Sequence, residues 1–176
     1  MSRSIYRMVI AVASLMLGRV LGQANRRVFV FMGEVKASPK RVLPLLCPIR
    51  EQEWIEGWQA DVVYSTSGVA EDNAIFATHL RSGETWVTSR YEPAQGRVEY
   101  SIFGGNHAVM RLDLMATIAP SGETQLSIRR TYTGLDWFGR RMVDKLEEKK
   151  IQVDNARLVR QLNHYLEEGT MLHEQR

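Results

Sequence analysis

The sequence predicts an α+β domain in which a curved, seven-stranded antiparallel sheet wraps around one long C-terminal helix. Two short helices are expected after the first strand. Three observations carry this reading. Short β-rich runs recur between tight-turn signals from Trp58 to Thr133. Residues 136–168 hold no proline and one glycine, Gly139, as a long helix requires. Between the first strand and the remaining strands, Ser38-Pro39 and Pro48 punctuate a helical stretch.

Taken in order, residues 28–35 (Val-Phe-Val-Phe-Met-Gly-Glu-Val) form the first strand, rich in β-branched and aromatic side chains. Ser38 suits a helix N-cap and Pro39 the first turn, so residues 39–47 read as a helix that Pro48 ends. A second short helix is expected over residues 49–54. Six strands follow, over 58–67, 73–80, 84–91, 97–103, 107–118 and 124–133. The turns between them are marked by Ser67-Gly68, Glu71-Asp72-Asn73, Ser82-Gly83, Glu92-Pro93 to Gln95-Gly96, Gly104-Gly105-Asn106 and Pro120-Ser121-Gly122. Strands joined by such tight turns pair antiparallel with their neighbours. After Gly134 the helix formers of 136–168 run to Gly169, a stop signal.

One face of such a meander needs a cover. Phe138, Met142, Leu146, Val153, Leu158, Leu162 and Leu166 lie along one drifting face of the helix and can supply it. A sheet bent around a single helix leaves space between the two, and that space is expected to be oily.

The 176 residues fit one domain over 25–176 and need neither disulfides nor a metal to fold. The single cysteine, Cys47, reads as a small buried hydrophobe. The formal charge of +3 lies in residues 1–24, which hold Arg3, Arg7 and Arg19 and no acid. The rest of the chain balances 20 basic against 20 acidic residues, which removes the main support for nucleic-acid binding.

Within that N-terminal stretch, residues 8–18 are uncharged, too short a run to span a membrane. Three readings stand open. The run fits the apolar core of a secretory signal, with Gly22 and Ala24 before a cut at Asn25. It also fits an N-terminal helix lying on the domain or on a membrane surface, or a start codon upstream of the true one. A secreted or periplasmic location follows from the first, a cytoplasmic one otherwise.

The most specific local feature is Cys47-Pro-Ile-Arg-Glu-Gln-Glu-Trp-Ile-Glu-Gly-Trp58. It is similar to the segment that links the second helix to the second strand in bacterial members of the START-like, or SRPBCC, helix-grip superfamily. Ala37-Ser-Pro-Lys-Arg-Val-Leu43 resembles that family's first-helix opening. The resemblance covers about residues 28–171. The superfamily includes the birch-pollen allergen type, polyketide cyclases and aromatases, coenzyme Q-binding proteins and Hsp90-activator-like proteins. It implies an apolar ligand, such as a lipid, quinone or polyketide, held between the sheet and the last helix. It also leaves room for a cyclase or dehydratase, for transient membrane contact, or for a protein-interaction role, because one fold hosts many functions.

Alternation along the strands names the cavity candidates. Trp86 and Thr88 share one face of their strand, and Tyr100 and Ile102 one face of the next. Arg130 and Tyr132 continue the apolar face begun by Leu126 and Ile128. A buried arginine needs a partner, either an anionic ligand group or a residue such as Glu84, Asp113 or Glu147. Met142 and Leu146 of the helix would close the other side. His107 is the histidine considered, with Tyr100 and Arg130, as a proton-transfer set. Glu51 and Glu53 read as solvated surface. No pair of histidines, with or without Cys47, has metal-ligand spacing, and no nucleophile or phosphate-loop motif occurs, so neither metal nor cofactor is expected.

Overall fold

The first strand, β1 (Arg26–Val35), alternates as a half-buried strand should. Phe29 and Val35 are buried, while Val28, Val30 and Met32 point outward. In the computed structural model, which describes residues 25–79 and 83–173, this strand forms one edge of a seven-stranded antiparallel sheet. The order is β1-β7-β6-β5-β4-β3-β2, with β2 (Ala60–Tyr64), β3 (Ile75–Thr78), β4 (Glu84–Glu92), β5 (Arg97–Phe103), β6 (Ala108–Ile118) and β7 (Thr124–Gly134). Strands two to seven form the meander expected from their turns. The first and last strands pair across the whole of β1, from Arg26↔Thr133 to Val35↔Thr124.

One row of the register positions the site. Phe29, Arg130, Leu112, Tyr100 and Thr88 lie opposite one another on five successive strands. They share a level and a face, so a polar side chain at Arg130 sits within a wall of apolar and buried groups.

Residues 39–54 are less regular than the two helices predicted. They form α1 (Pro39–Val42), a 3-10 turn (Leu43–Leu46) and α2 (Pro48–Glu51). Pro44 and Pro48 each lack an N–H, so the helical ladder cannot run through them. Three carbonyls of this irregular stretch accept from side chains instead: Leu45 O from Trp54 Nε1 at 2.9 Å, Leu46 O from Tyr100 Oη at 3.0 Å and Pro48 O from Trp58 Nε1 at 2.8 Å.

The predicted single helix over 136–168 is two helices, α3 (Trp137–Asp144) and α4 (Glu148–Glu168). Arg27 of β1 sits at the break. Its guanidinium donates to the carbonyls of Val143 (3.4 Å), Asp144 (3.2 Å) and Leu146, taking up groups that a continuing helix would have bonded itself. Of the residues assigned to the covering face, Phe138, Met142 and Val153 are exposed. The side that covers the sheet is formed by Ile151, Asn155, Val159 and Leu162 of α4. This helix runs beside β1, joined by Gln152 Nε2 to Val30 O at 3.1 Å and Asn163 Nδ2 to Glu34 O at 3.0 Å.

Strands β2 and β3 are shorter than the runs 58–67 and 73–80 predicted for them. The readings of residues 1–24, the end of the 73–80 strand and Ser82 of the next turn lie outside the described residues.

Candidate functional site

The space between sheet and α4 is nearly filled. A cavity of about 30 Å³ remains, room for about two water molecules, walled by Leu46, Leu112, Leu114, Leu126, Ile128 and Leu162 among others. Glu51 and Arg130 are the charged-type side chains in that wall. The expectation of open space for a large ligand thus meets an interior in which leucine and valine side chains of α4 close most of the gap.

Glu51 reaches the cavity because of helical spacing. Cys47, Glu51 and Trp54 follow at i, i+4 and i+7, and the first and last are buried, so the glutamate between them is carried inward. Burial raises its carboxyl pKa to about 8, with Arg130 opposing the shift by attraction. At neutral pH Glu51 is mostly protonated and can donate a hydrogen bond. The placement corrects the expectation of a solvated side chain, and the spacing with two buried neighbours was the signal for it. Glu53 behaves as expected of a surface acid: it pairs with Arg50 and accepts from Tyr165 Oη at 2.6 Å, which ties α4 to the loop after α2. The Arg50 hydrogen bond, first among the causes, lowers its pKa.

Polar groups without partners gather near the same seam. Arg130 Nε is buried without a hydrogen bond, as are both amide atoms of Asn155, whose residue is 0% exposed. Asn155 lies one turn before Leu158 and Val159, which wall the cavity. Thr88 Oγ1, two strands beyond Leu112 in the same register row, is likewise unpartnered. Buried groups of this kind are rare in folded proteins and call for a water or a ligand to complete them.

The remaining sequence candidates divide by position. Trp86, Thr88, Tyr100 and Ile102 are buried on the inward face, with Trp86 edge-on to Trp58 and tilted against Tyr100, each pair 5.4 Å apart between ring centroids. Burial raises the Tyr100 phenol well above its ordinary pKa, and its proton is committed to Leu46 O. Tyr132 is half-buried, edge-on to Phe29. Leu146 is half-buried in the α3–α4 break and Met142 faces solvent.

His107 is exposed, with Nδ1 2.6 Å from Asp136 Oδ2 and its ring edge-on to Phe138. Five residues separate it from Leu112, the partner of Arg130, which at strand rise is about 16 Å. Tyr100, Arg130 and His107 therefore do not converge; a strand end carries the histidine away from the cavity. Among the described residues, no three His, Cys, Asp or Glu side chains gather as a metal site.

No protein-family model matches the sequence, and no curated protein matches it. Solved structures do. The aromatase/cyclase Zhui from Streptomyces sp. R1128 superposes with a TM-score of 0.63 at 12% identity, over 84% of this chain and 99% of that one. Ara h 8.0201 gives 0.60 at 11% identity, over 80% and 97%. The major latex-like protein 151 of Panax ginseng gives 0.63 at 6% identity, over 80% and 97%. At such identities the likeness shows the fold alone: the chain has the helix-grip fold of these structures.

Proposed function

We propose that this protein binds a hydrophobic small molecule carrying a polar end group, seated at the seam between sheet and α4. The observation that carries the reading is the set of unpartnered buried groups, Arg130 Nε and the Asn155 amide, beside an apolar wall that also holds Glu51. An arginine fork, a neutral carboxylic acid and an amide suit a ketone, enol or carboxylate oxygen. The apolar remainder of the ligand would lie against Leu112, Leu114, Leu126 and Ile128, displacing Leu158 and Leu162 of α4. A molecule of that character exchanges with lipid, so transient membrane contact belongs to the same proposal.

Native mass spectrometry of the purified chain, with organic extraction alongside, tests it. A bound apolar molecule that is lost in Arg130→Met supports the reading. Waters alone at the seam, with no thermal shift across a panel of fatty acids, quinones and aromatic polyketides, would end it.

A second reading, an enzyme acting on such a ligand, has one observation in its favour. A carboxyl with a pKa near 8 beside an arginine can pass a proton to or from an enolisable ketone at neutral pH, while the guanidinium steadies the oxygen. Its test is turnover of a polyketide-like ketone, with a rate that Glu51→Gln removes while binding persists.

A further inference from the structure

Helix α3 turns its larger apolar side chains away from the protein. Trp137, Phe138 and Met142 are 70%, 51% and 48% exposed, and Leu135 just before the helix is 54% exposed. The helix is not free to rotate them inward. Its buried side is Gly139 and Val143. A Cβ at Gly139 would overlap the carbonyl oxygen of His107, and one at Gly134 would press on the backbone of Arg140. Asp136 caps the helix by accepting from Gly139 N at 2.7 Å and also holds His107. These contacts fix the helix by its glycine side and leave the aromatic side in solvent.

Cations share that outer side. Arg141 lies over the Trp137 ring at 5.3 Å, and Lys145 follows one turn on. Tryptophan and phenylalanine interleaved with arginine and lysine are the side chains that settle at the headgroup level of a bilayer, apolar part inward and charge at the phosphates. The chain upstream supplies an independent observation. It joins the domain at Asn25, whose backbone oxygen accepts from Gly134 N at 3.0 Å and whose side chain bonds Asp144 at the end of α3. The described chain thus begins at Asn25 beside this same helix, and the sequence before it holds three arginines, no acid and the uncharged run 8–18. Neither feature spans a bilayer: the run is too short, and no described helix is long and apolar enough.

We infer that the outer face of α3, Leu135, Trp137, Phe138, Arg141, Met142 and Lys145, docks on an anionic phospholipid surface. This deepens the ligand reading through its membrane contact, yet it stands on residues remote from the seam.

The test is cosedimentation of the full chain with vesicles of phosphatidylcholine alone and of phosphatidylcholine mixed with phosphatidylglycerol. The expected result is binding to the mixed vesicles that weakens as salt rises. The double variant Trp137→Ser, Phe138→Ser should lose about tenfold in partitioning, and Arg141→Glu at least about fivefold, with circular dichroism unchanged. Blue-shifted fluorescence that disappears in Trp137→Phe would place that ring in lipid. Equal binding by the parent and both variants, or no binding to either vesicle, overturns the inference. So does concentration-dependent self-association abolished by the double variant, which would make this face a contact between copies. Retention of the extracted seam ligand by the double variant keeps the two proposals apart.

Discussion

Glu51 places a titratable group where water cannot follow, and that choice makes stability depend on pH in a definite direction. Its folded pKa, about 8, lies above the ordinary value of 4.5. Between those values the native state holds a proton that the unfolded chain has released. Unfolding then becomes easier as pH rises, by up to about 1.4 kcal/mol per pH unit. The stabilisation is complete below about pH 4.5 and is lost as pH climbs through 8. Glu51→Gln keeps the neutral shape and removes the titration, so its urea midpoint should fall less than the parent's between pH 5 and pH 8. Identical slopes would mean that the carboxylate finds solvation on ionising. Tyr100 makes a different kind of claim on stability. Its hydroxyl donates to Leu46 O at the end of the Leu43–Leu46 3-10 turn. Tyr100→Phe leaves that buried carbonyl empty and should cost about 1–3 kcal/mol in urea unfolding.

At the level of elements, α4 lies against β1 only because β1 has a glycine at the crossing. A Cβ on Gly33 would stand 2.9 Å from both Val159 Cγ2 and Phe31 Cε1. Phe31 can swing away, but a branched valine methyl on a packed helix has little room to do so. Gly33→Val should therefore destabilise by about 1–3 kcal/mol, seen as a lower denaturant midpoint, and should loosen α4 before the sheet. The same crossing shows what the sequence made legible. Strands were readable because their period of two is a local signal: Leu112, Leu114 and Ala116 on one side of β6, Arg111 and Asp113 on the other. The helix break was not, because the group that bonds its carbonyls is Arg27, 116 residues before Val143. Continuous helix formers over 136–168 gave no hint of a guanidinium arriving from the first strand. In the site, Arg130 stood out as a charge on an apolar face. Glu51 passed for surface because its three-turn neighbourhood mixes exposed and buried positions, and only its spacing from Cys47 and Trp54 marks the inward side.

For the whole molecule, binding at the seam requires an opening that the closed form lacks, since about 30 Å³ admits no lipid. The architecture says which part should move. The seven strands are joined by backbone ladders with irregularities only at Val62/Tyr64 and Thr88/Arg90, whereas α4 is held by buried Ile151, Val159 and Leu162 and by exposed or half-buried side-chain bonds to β1 and the α2 loop. These are Gln152 to Val30 O, Asn163 to Glu34 O, the Lys36–Glu167 ion pair at 2.9 Å and Tyr165 to Glu53. Exposed pairs of this kind add little each, and the core behind them is interrupted by the unpartnered Asn155. Helix α4 should open as a unit at a free energy below that of global unfolding, with the three-residue break after Asp144 as its hinge. Native-state hydrogen exchange with residue resolution reads this directly. Amides of Val159 and Leu162 should exchange through a lower-energy opening than those of Leu112 and Ile128. A seam ligand enters through that opening, and α4 reclosed over it should be the element whose protection rises most. If α4 and the central strands instead exchange at one common free energy, and no ligand changes either, the seam stays shut in solution and the binding reading fails with it.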